Sequence, residues 1–221
     1  SSPAVLGSPA PVITGTAVLN SAALSVSTGT WTWKPTAAVG TYSYKWFACP
    51  STVTSFVGGT TMPGGCAQIP SQTGKTLTLT AAELGFRILS EVTVSVATNL
   101  PNGSKSIYYT AVTDVVMSKP APAATAPSIG YTSTAVGSVL TAKLGTWTGS
   151  PAPTLSYTWY KCPATTTQPT TKLAPATCTA LTVKGDLTIT ADLKGLKILL
   201  QVLAANDAGN ATNISTLLDI K

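Results

Sequence analysis

Gly145-Thr146-Trp147-Thr148-Gly149-Ser150-Pro151-Ala152-Pro153-Thr154-Leu155-Ser156-Tyr157-Thr158-Trp159-Tyr160-Lys161-Cys162-Pro163 is the stretch whose reading decides the fold. It occurs twice. Gly29-Thr30-Trp31-Thr32 opens the other copy, and Tyr42-Ser43-Tyr44-Lys45-Trp46-Phe47-Ala48-Cys49-Pro50 closes it. Each copy reads as a turn followed by a strand. Tyr42, Tyr44 and Trp46 fall at alternate positions and so share one face, as do Tyr157 and Trp159. Both copies end in Trp-x-x-Cys-Pro.

Outward from this stretch, the two halves keep matching. Pro11-Val12-Ile13-Thr14-Gly15 corresponds to Pro127-Ser128-Ile129-Gly130-Tyr131. Ala23-Leu24-Ser25-Val26-Ser27 corresponds to Val139-Leu140-Thr141-Ala142-Lys143, both alternating apolar and polar. Lys75-Thr76-Leu77-Thr78-Leu79-Thr80 corresponds to Gly185-Asp186-Leu187-Thr188-Ile189-Thr190. Polar corners ending in Gly85 and Gly195 come next, then apolar strands at 88–97 and 198–205. Turns containing Asn102-Gly103 and Asp207-Ala208-Gly209-Asn210 lead to last strands at 107–116 and 214–220. Extra residues between Gly85 and Asn99 predict a bulge or a longer strand in the first half. Many short strands, no convincing helix and regular turn signals predict antiparallel β-sandwiches, one in each half. The domains run 1–118 and 119–221. Three prolines within 118–127 predict an extended, semi-rigid spacer at the start of the second half. Residues 1–11 read as a linker or lead-in strand.

Composition narrows the class. Of 221 residues only 9% are charged while 44% are hydrophobic, so there is enough to bury and the chain is not disordered. The net charge is +6, but the cations are scattered singly rather than gathered in a stripe, which speaks against a nucleic-acid partner. No apolar run approaches the ~20 residues of a membrane span, so membrane insertion is not expected. The chain opens on Ser1-Ser2-Pro3 without Met or a leader, which predicts a processed product or an excised piece of something longer. Four cysteines, Cys49, Cys66, Cys162 and Cys178, fall two per half at matching positions. Even number and equal spacing predict disulfides in an oxidising compartment, outside the cell. Zinc is disfavoured because the chain has no His and no Cys-x-x-Cys.

Gly145 through Cys162 resembles the Ig-like repeats of large bacterial surface and secreted proteins, common in actinobacteria. The corner Leu79-Thr80-Ala81-Ala82-Glu83-Leu84-Gly85 is similar to the Leu-Thr-Ala-Ala-Asp-Val-Gly corner of those repeats. The resemblance covers nearly all of both halves, and the second half is closer. It implies two tandem Ig-like antiparallel β-sandwiches and a modular extracellular role. The chain departs from antibody-type domains, because the long apolar strand carries Val94 and Val96 where a core-crossing cysteine would sit. Cys49–Cys66 and Cys162–Cys178 are therefore expected to close the loop after the central strand locally. In the chain-entropy account each closure stabilises by roughly 3 kcal/mol. Trp46, Trp159, Trp31, Trp147, Tyr44 and Tyr157 are expected as core aromatics.

Chemistry is poorly served by these residues. Without His there is no Ser-His-Asp or Cys-His arrangement, and the seven acids are dispersed. No enzyme activity and no cofactor are expected. Asp207 with Asn206 and Asn210 is the best calcium cluster, weighed against a plain Asx turn. Lys45, Glu91 and Asn99 form the one imaginable isopeptide trio. Trp33 has no counterpart in the second half and could stack on a sugar or pack locally. The loops 50–65 and 163–177 differ most between the halves, as recognition loops on a fixed scaffold would. Their candidate binding residues are Phe56, Gly58, Gly59, Gln168 and Lys172. The leading expectation is a structural or adhesive module: a stalk, adhesin segment or surface-layer component. Its partners would be neighbouring copies or other modules of one surface assembly. One alternative is a filament subunit whose lead-in segment pairs with a neighbour's sheet edge. The other is a carbohydrate- or receptor-binding module using the Cys-closed loops.

Overall fold

Alternating apolar and β-branched residues make strands here, and glycines in the left-handed region turn them. The computed structural model describes residues 3–34, 39–97 and 104–221. The chain divides into two compact units, Ser1–Ser118 and Lys119–Lys221. Both are immunoglobulin-like antiparallel β-sandwiches by strand order.

The first unit contains β1 (Val5–Leu6), β2 (Ile13–Thr14), β3 (Leu24–Val26), β4 (Trp31–Thr32), β5 (Gly40–Cys49), β6 (Ala67–Gln68), β7 (Thr76–Leu77), β8 (Arg87–Val96) and β9 (Ser104–Tyr109). One sheet has the order β2-β3-β7 and the other β6-β5-β8-β9, with β1 paired to β4. The second unit contains β10 (Ser118–Pro122), β11 (Ser128–Gly130), β12 (Val139–Lys143), β13 (Trp147–Ser150), β14 (Thr154–Cys162), β15 (Thr179–Ala180), β16 (Leu187–Thr188), β17 (Lys197–Asn206), β18 (Gly209–Ile214) and β19 (Leu218–Asp219). Its sheets are β11-β12-β16 and β15-β14-β17-β18, with β19 also on β17 and β10 paired to β13. The repeat in sequence is thus a repeat in topology.

The inner face of each larger sheet packs on the smaller one. In the first unit Trp46, Ile88 and Val92 meet Leu24, Val26 and Leu77. In the second, Trp159, Ile198, Leu200 and Val202 meet Leu140, Leu187 and Ile189. Each central Trp is fully buried and donates its indole N–H to a turn carbonyl: Trp46 to Gly74 at 2.9 Å, Trp159 to Gly185 at 2.8 Å. A buried indole left unpaired would cost free energy, so the turn before the following strand is held where that acceptor lies. Trp31 and Trp147 repeat the device one turn earlier, bonding the carbonyls of Thr28 and Leu144. The Gly-Thr-Trp turn needs its glycine. Gly29 has φ +69, and a Cβ there would sit 2.6 Å from a carbon of Pro11.

Several expectations are corrected. The proline run does not form a free spacer: Ser118–Pro122 is a strand on β13, and Pro120 and Pro127 are buried. Thr146 keeps the next turn bonded to it, accepting from Ala123 and donating to Thr125. Proline is tolerated because this strand has a neighbour on one side only. The lead-in segment is a strand within its own unit, where Val5 pairs with Thr32 and Leu6 with Trp31. Tyr42 shares a face with Tyr44 and Trp46 but lies beyond the core and is exposed. The corners are one-turn 3-10 helices, Ala81–Glu83 and Ala191–Leu193. In the first, Glu83 closes a capping box onto the Thr80 N–H and hydroxyl, both at 2.7 Å.

No bulge interrupts β8, which keeps one register on β5 from Gly40↔Val96 to Cys49↔Arg87. The extra residues therefore lie past Val96. Asn99 and the Asn102-Gly103 turn are outside the described residues. The bulge is in the last strand instead. Glu91 faces Tyr109 while Arg87 faces Val115, and Gln201 faces Ile214 while Lys197 faces Asp219. At each bulge a hydroxyl substitutes for the displaced backbone acceptor: Ser90 N–H donates to Thr110 Oγ1, and Leu200 N–H to Ser215 Oγ, both at 3.0 Å. Trp46→Ala and Trp159→Ala should each cost about 3–5 kcal/mol in urea unfolding. Exposed Val5→Ala should stay within about 0.5 kcal/mol.

Candidate functional site: the disulfide-closed loops

Strand β8 is buried at nearly every position, and so is the first half of β17. Such runs occur where both faces of a sheet are covered. The smaller sheet covers one face, so something must cover the other. The loops 50–65 and 163–177 do this. Cys49 is bonded to Cys66 and Cys162 to Cys178, each closing its loop locally. Cys49 and Cys162 are fully buried at the ends of β5 and β14. There they stand opposite Arg87 and Lys197, at the starts of the long strands.

In the first unit, Val53, Phe56, Met62 and Cys66 pack down on Phe47, Cys49 and Leu89. Phe47 also meets the edge of the Tyr109 ring, with centroids 6.1 Å apart. Gly59 exchanges both backbone hydrogen bonds with Tyr109, at 3.0 and 2.7 Å, and Val112 N–H donates to the Phe56 carbonyl. Gly58 has φ +106, and a Cβ there would run into the Tyr108 hydroxyl. Phe56, Gly58 and Gly59, read from sequence as candidate binding residues, thus fasten the loop to the sheet. No pattern in the sequence marks them as a lid, because the strand they cover is distant in the chain.

In the second unit the packing is thinner, with Ala174 and Cys178 over Leu199 and Ile214. Hydrogen bonds take over. Gln168 Nε2 donates to the Ser215 carbonyl at 3.1 Å, and its Oε1 accepts from Leu217 N–H at 2.7 Å. Gln201 Oε1 accepts from Ala174 N–H, and Lys197 Nζ donates to the Thr166 carbonyl. Gln168 is therefore a clasp on the bulge rather than a free recognition group. Lys172 is exposed on the loop.

Gln201 takes the place of Glu91 on the outer face of the first unit. Glu91 is buried there, 3.3 Å from Lys45 Nζ, and it accepts from Thr93 Oγ1 at 3.2 Å. Burial, then a hydrogen bond to Glu91 and its charge, hold the Tyr109 hydroxyl above the usual phenol range. Of the isopeptide trio, Lys45 and Glu91 form this ion pair, and Asn99 lies outside the described residues. The calcium cluster reduces to an Asx turn, with Asn206 Oδ1 accepting from Ala208 N–H at 3.0 Å. Among the described residues no group of three His, Cys, Asp or Glu could hold a metal. Asp192 is held below the usual carboxylate range by the Thr190 hydroxyl and then by its own backbone and Lys161, at a 3-10 corner on the surface. Trp33 packs locally, against the cluster of Ala4, Trp31, Val94 and Val96 and over Gly40.

Two surface clefts accompany this arrangement. One, of about 520 Å³, lies at the edge of the first sandwich between β1 and β9, with Trp31 and Tyr108 among its lining. Sequence reading placed no binding residue there. The other, of about 480 Å³, lies within the second loop and is lined by threonines and prolines.

No family model and no curated protein matches the chain. Among solved structures it is similar to Sidekick-1 immunoglobulin domains 1-5, at 16% identity and a TM-score of 0.36, over 96% of this chain and 39% of that chain. It is also similar to the full ectodomain (Ig1-Ig3) of mouse nectin-like molecule 4, at 16% identity and a TM-score of 0.28, over 96% of this chain and 64% of that one. The chain thus spans less than two thirds of either. The immunoglobulin-like assignment rests on the strand order within each unit.

Gln168→Ala should cost about 1 kcal/mol and speed both hydrogen exchange at the Leu217 amide and tryptic cleavage after Lys172. Phe56→Ala should cost more, about half the ~3–5 kcal/mol of a fully buried phenylalanine. The reverse order would refute the division between a packed and a hydrogen-bonded loop.

Proposed function

We propose that the chain is a pair of non-catalytic, tension-bearing Ig-like modules from a bacterial surface or secreted protein, serving in a stalk, an adhesin segment or a surface layer. The observation that carries this reading is how the first unit joins its early and late strands. Val18 bridges Met117 in parallel; Leu19 N–H donates to the Met117 carbonyl at 2.8 Å, and Met117 N–H to the Ala17 carbonyl at 2.9 Å. Pulling the two ends of such a pair apart drives the strands along each other, so the bonds resist together in shear rather than opening in turn. The second unit repeats the contact, with Lys221 N–H donating to the Thr134 carbonyl.

The rest of the chemistry agrees. Both disulfides support an extracellular or secreted location. With no histidine and no free cysteine, neither a Ser-His nor a Cys-His pair can form. The partners of such a module are its neighbours in the assembly.

Single-molecule stretching tests the reading. Leu19→Pro deletes one N–H from the parallel pair and should lower the force of one of two unfolding events while circular dichroism stays unchanged. Reduction should lengthen the released chain, because the Cys49–Cys66 closure conceals a separation of 17 residues, about 60 Å when extended. If the unsubstituted protein yields at no higher force than Leu19→Pro, the tension-bearing role fails.

A further inference from the structure

We infer that the loop closed by Cys162–Cys178 is a site of O-glycosylation, with Thr165, Thr167 and Thr170 as the acceptor hydroxyls. The segment Pro163-Ala164-Thr165-Thr166-Thr167-Gln168-Pro169-Thr170-Thr171 is dominated by threonine and proline and carries no charge. Threonine-rich, proline-bearing segments are the composition on which O-linked sugars are built in extracellular stalks. Here the composition coincides with three structural facts.

The first is exposure without internal use. Thr165, Thr167 and Thr170 are exposed, and among the described residues none of their hydroxyls has a hydrogen-bond partner. Thr166 differs: it is half-buried, its N–H bonds the Pro163 carbonyl, and its own carbonyl accepts Lys197 Nζ at 2.8 Å. Thr171 spends its hydroxyl on the Leu173 carbonyl. The second fact is backbone form. The stretch belongs to no strand or helix, so a transferase can engage it without breaking a sheet. Gln168, Lys197 and the disulfide hold it from beneath, leaving the outward side chains free. The third is contrast. In the first unit the equivalent loop buries Val53, Phe56 and Met62 on the sheet, whereas in the second the packed loop residues are Ala174 and Cys178. The threonine stretch adds nothing to that apolar cluster, and its side chains rim the 480 Å³ cleft.

The donor is an activated sugar phosphate. The Thr Oγ1 forms a bond to the anomeric carbon as the bond from that carbon to the phosphate oxygen breaks. The phosphate leaves with the electron pair, and the hydroxyl proton passes to the base of the transferase. Nothing is oxidised or reduced.

The test uses the protein recovered from its native source. After reduction, trypsin releases residues 162–172 as one peptide, and residues 46–75, which hold the first unit's loop, as another. Electron-transfer fragmentation should find whole sugar increments on the 162–172 peptide, located at Thr165, Thr167 or Thr170, and none on 46–75. A variant with all three threonines changed to alanine, produced in the same source, should lose the increments and keep its disulfides and circular dichroism. An unmodified 162–172 peptide overturns the inference. So does modification confined to Thr166, Thr171 or other segments. Neither result bears on the force measurement, which reads strand pairing.

Discussion

The long strand β8 and the first half of β17 are buried on both faces, and a strand of that kind is stable only if both faces are covered. A two-layer sandwich supplies one cover. The second comes from the loop after the central strand, folded back over the outer face of the sheet. Each disulfide sits where this return must begin: its first cysteine is buried at the end of the strand next to β8 or β17, opposite the residue that starts the long strand. Covering the outer face, rather than crossing the core, is the role these disulfides play. The inner face is left to Trp46 and Trp159, whose indole N–H groups fix the turns on the opposite sheet.

The two units meet the same demand by different means. In the first, the loop is apolar and bonds through its backbone at Phe56 and Gly59. In the second, the side-chain amide of Gln168 bonds the bulge at Ser215 and Leu217 directly. The bulge is the shared target in both, because it leaves backbone groups of the last strand turned away from β8 or β17. Val112 N–H and Leu217 N–H are such groups, and both are satisfied from the loop. Since side-chain hydrogen bonds from Gln168, Gln201 and Lys197 do the fastening in the second unit, the surrounding residues are freed from packing. That explains why these loops diverge while the strands beneath them repeat.

The terminal strands carry a separate consequence. Residues 17–19 and 117 run parallel in the first unit, so the fold is closed by contacts between its beginning and its end. Segments that read as linkers are also paired strands: Val5–Leu6 on β4 and Ser118–Pro122 on β13. Proline did not prevent strand formation at 120 and 122, because a strand with one neighbour needs its N–H groups on one side only.

The repeat and the alternation were sufficient to read two β-sandwiches, and the four cysteines to read disulfides, because side-chain period is a local property of a chain; that each disulfide closes its loop locally followed from the Ig-like resemblance and the valines of the long strand. Trp46, Trp159, Trp31 and Trp147 were legible as structural, each matched by its partner at an equivalent place. What Phe56, Gly58, Gly59 and Gln168 do was not legible. Their partners, Tyr108, Tyr109, Ser215 and Leu217, lie some fifty residues further along and meet them only once β9 and β18 are laid beside the long strands. The place of the buried Glu91 in a mostly apolar strand was likewise not legible, since its partners Lys45, Thr93 and Tyr109 meet it only on the outer face of the sheet. Strand identity is a matter of local periodicity, whereas the use of a loop depends on which distant surface it comes to cover, and only the tertiary structure decides that.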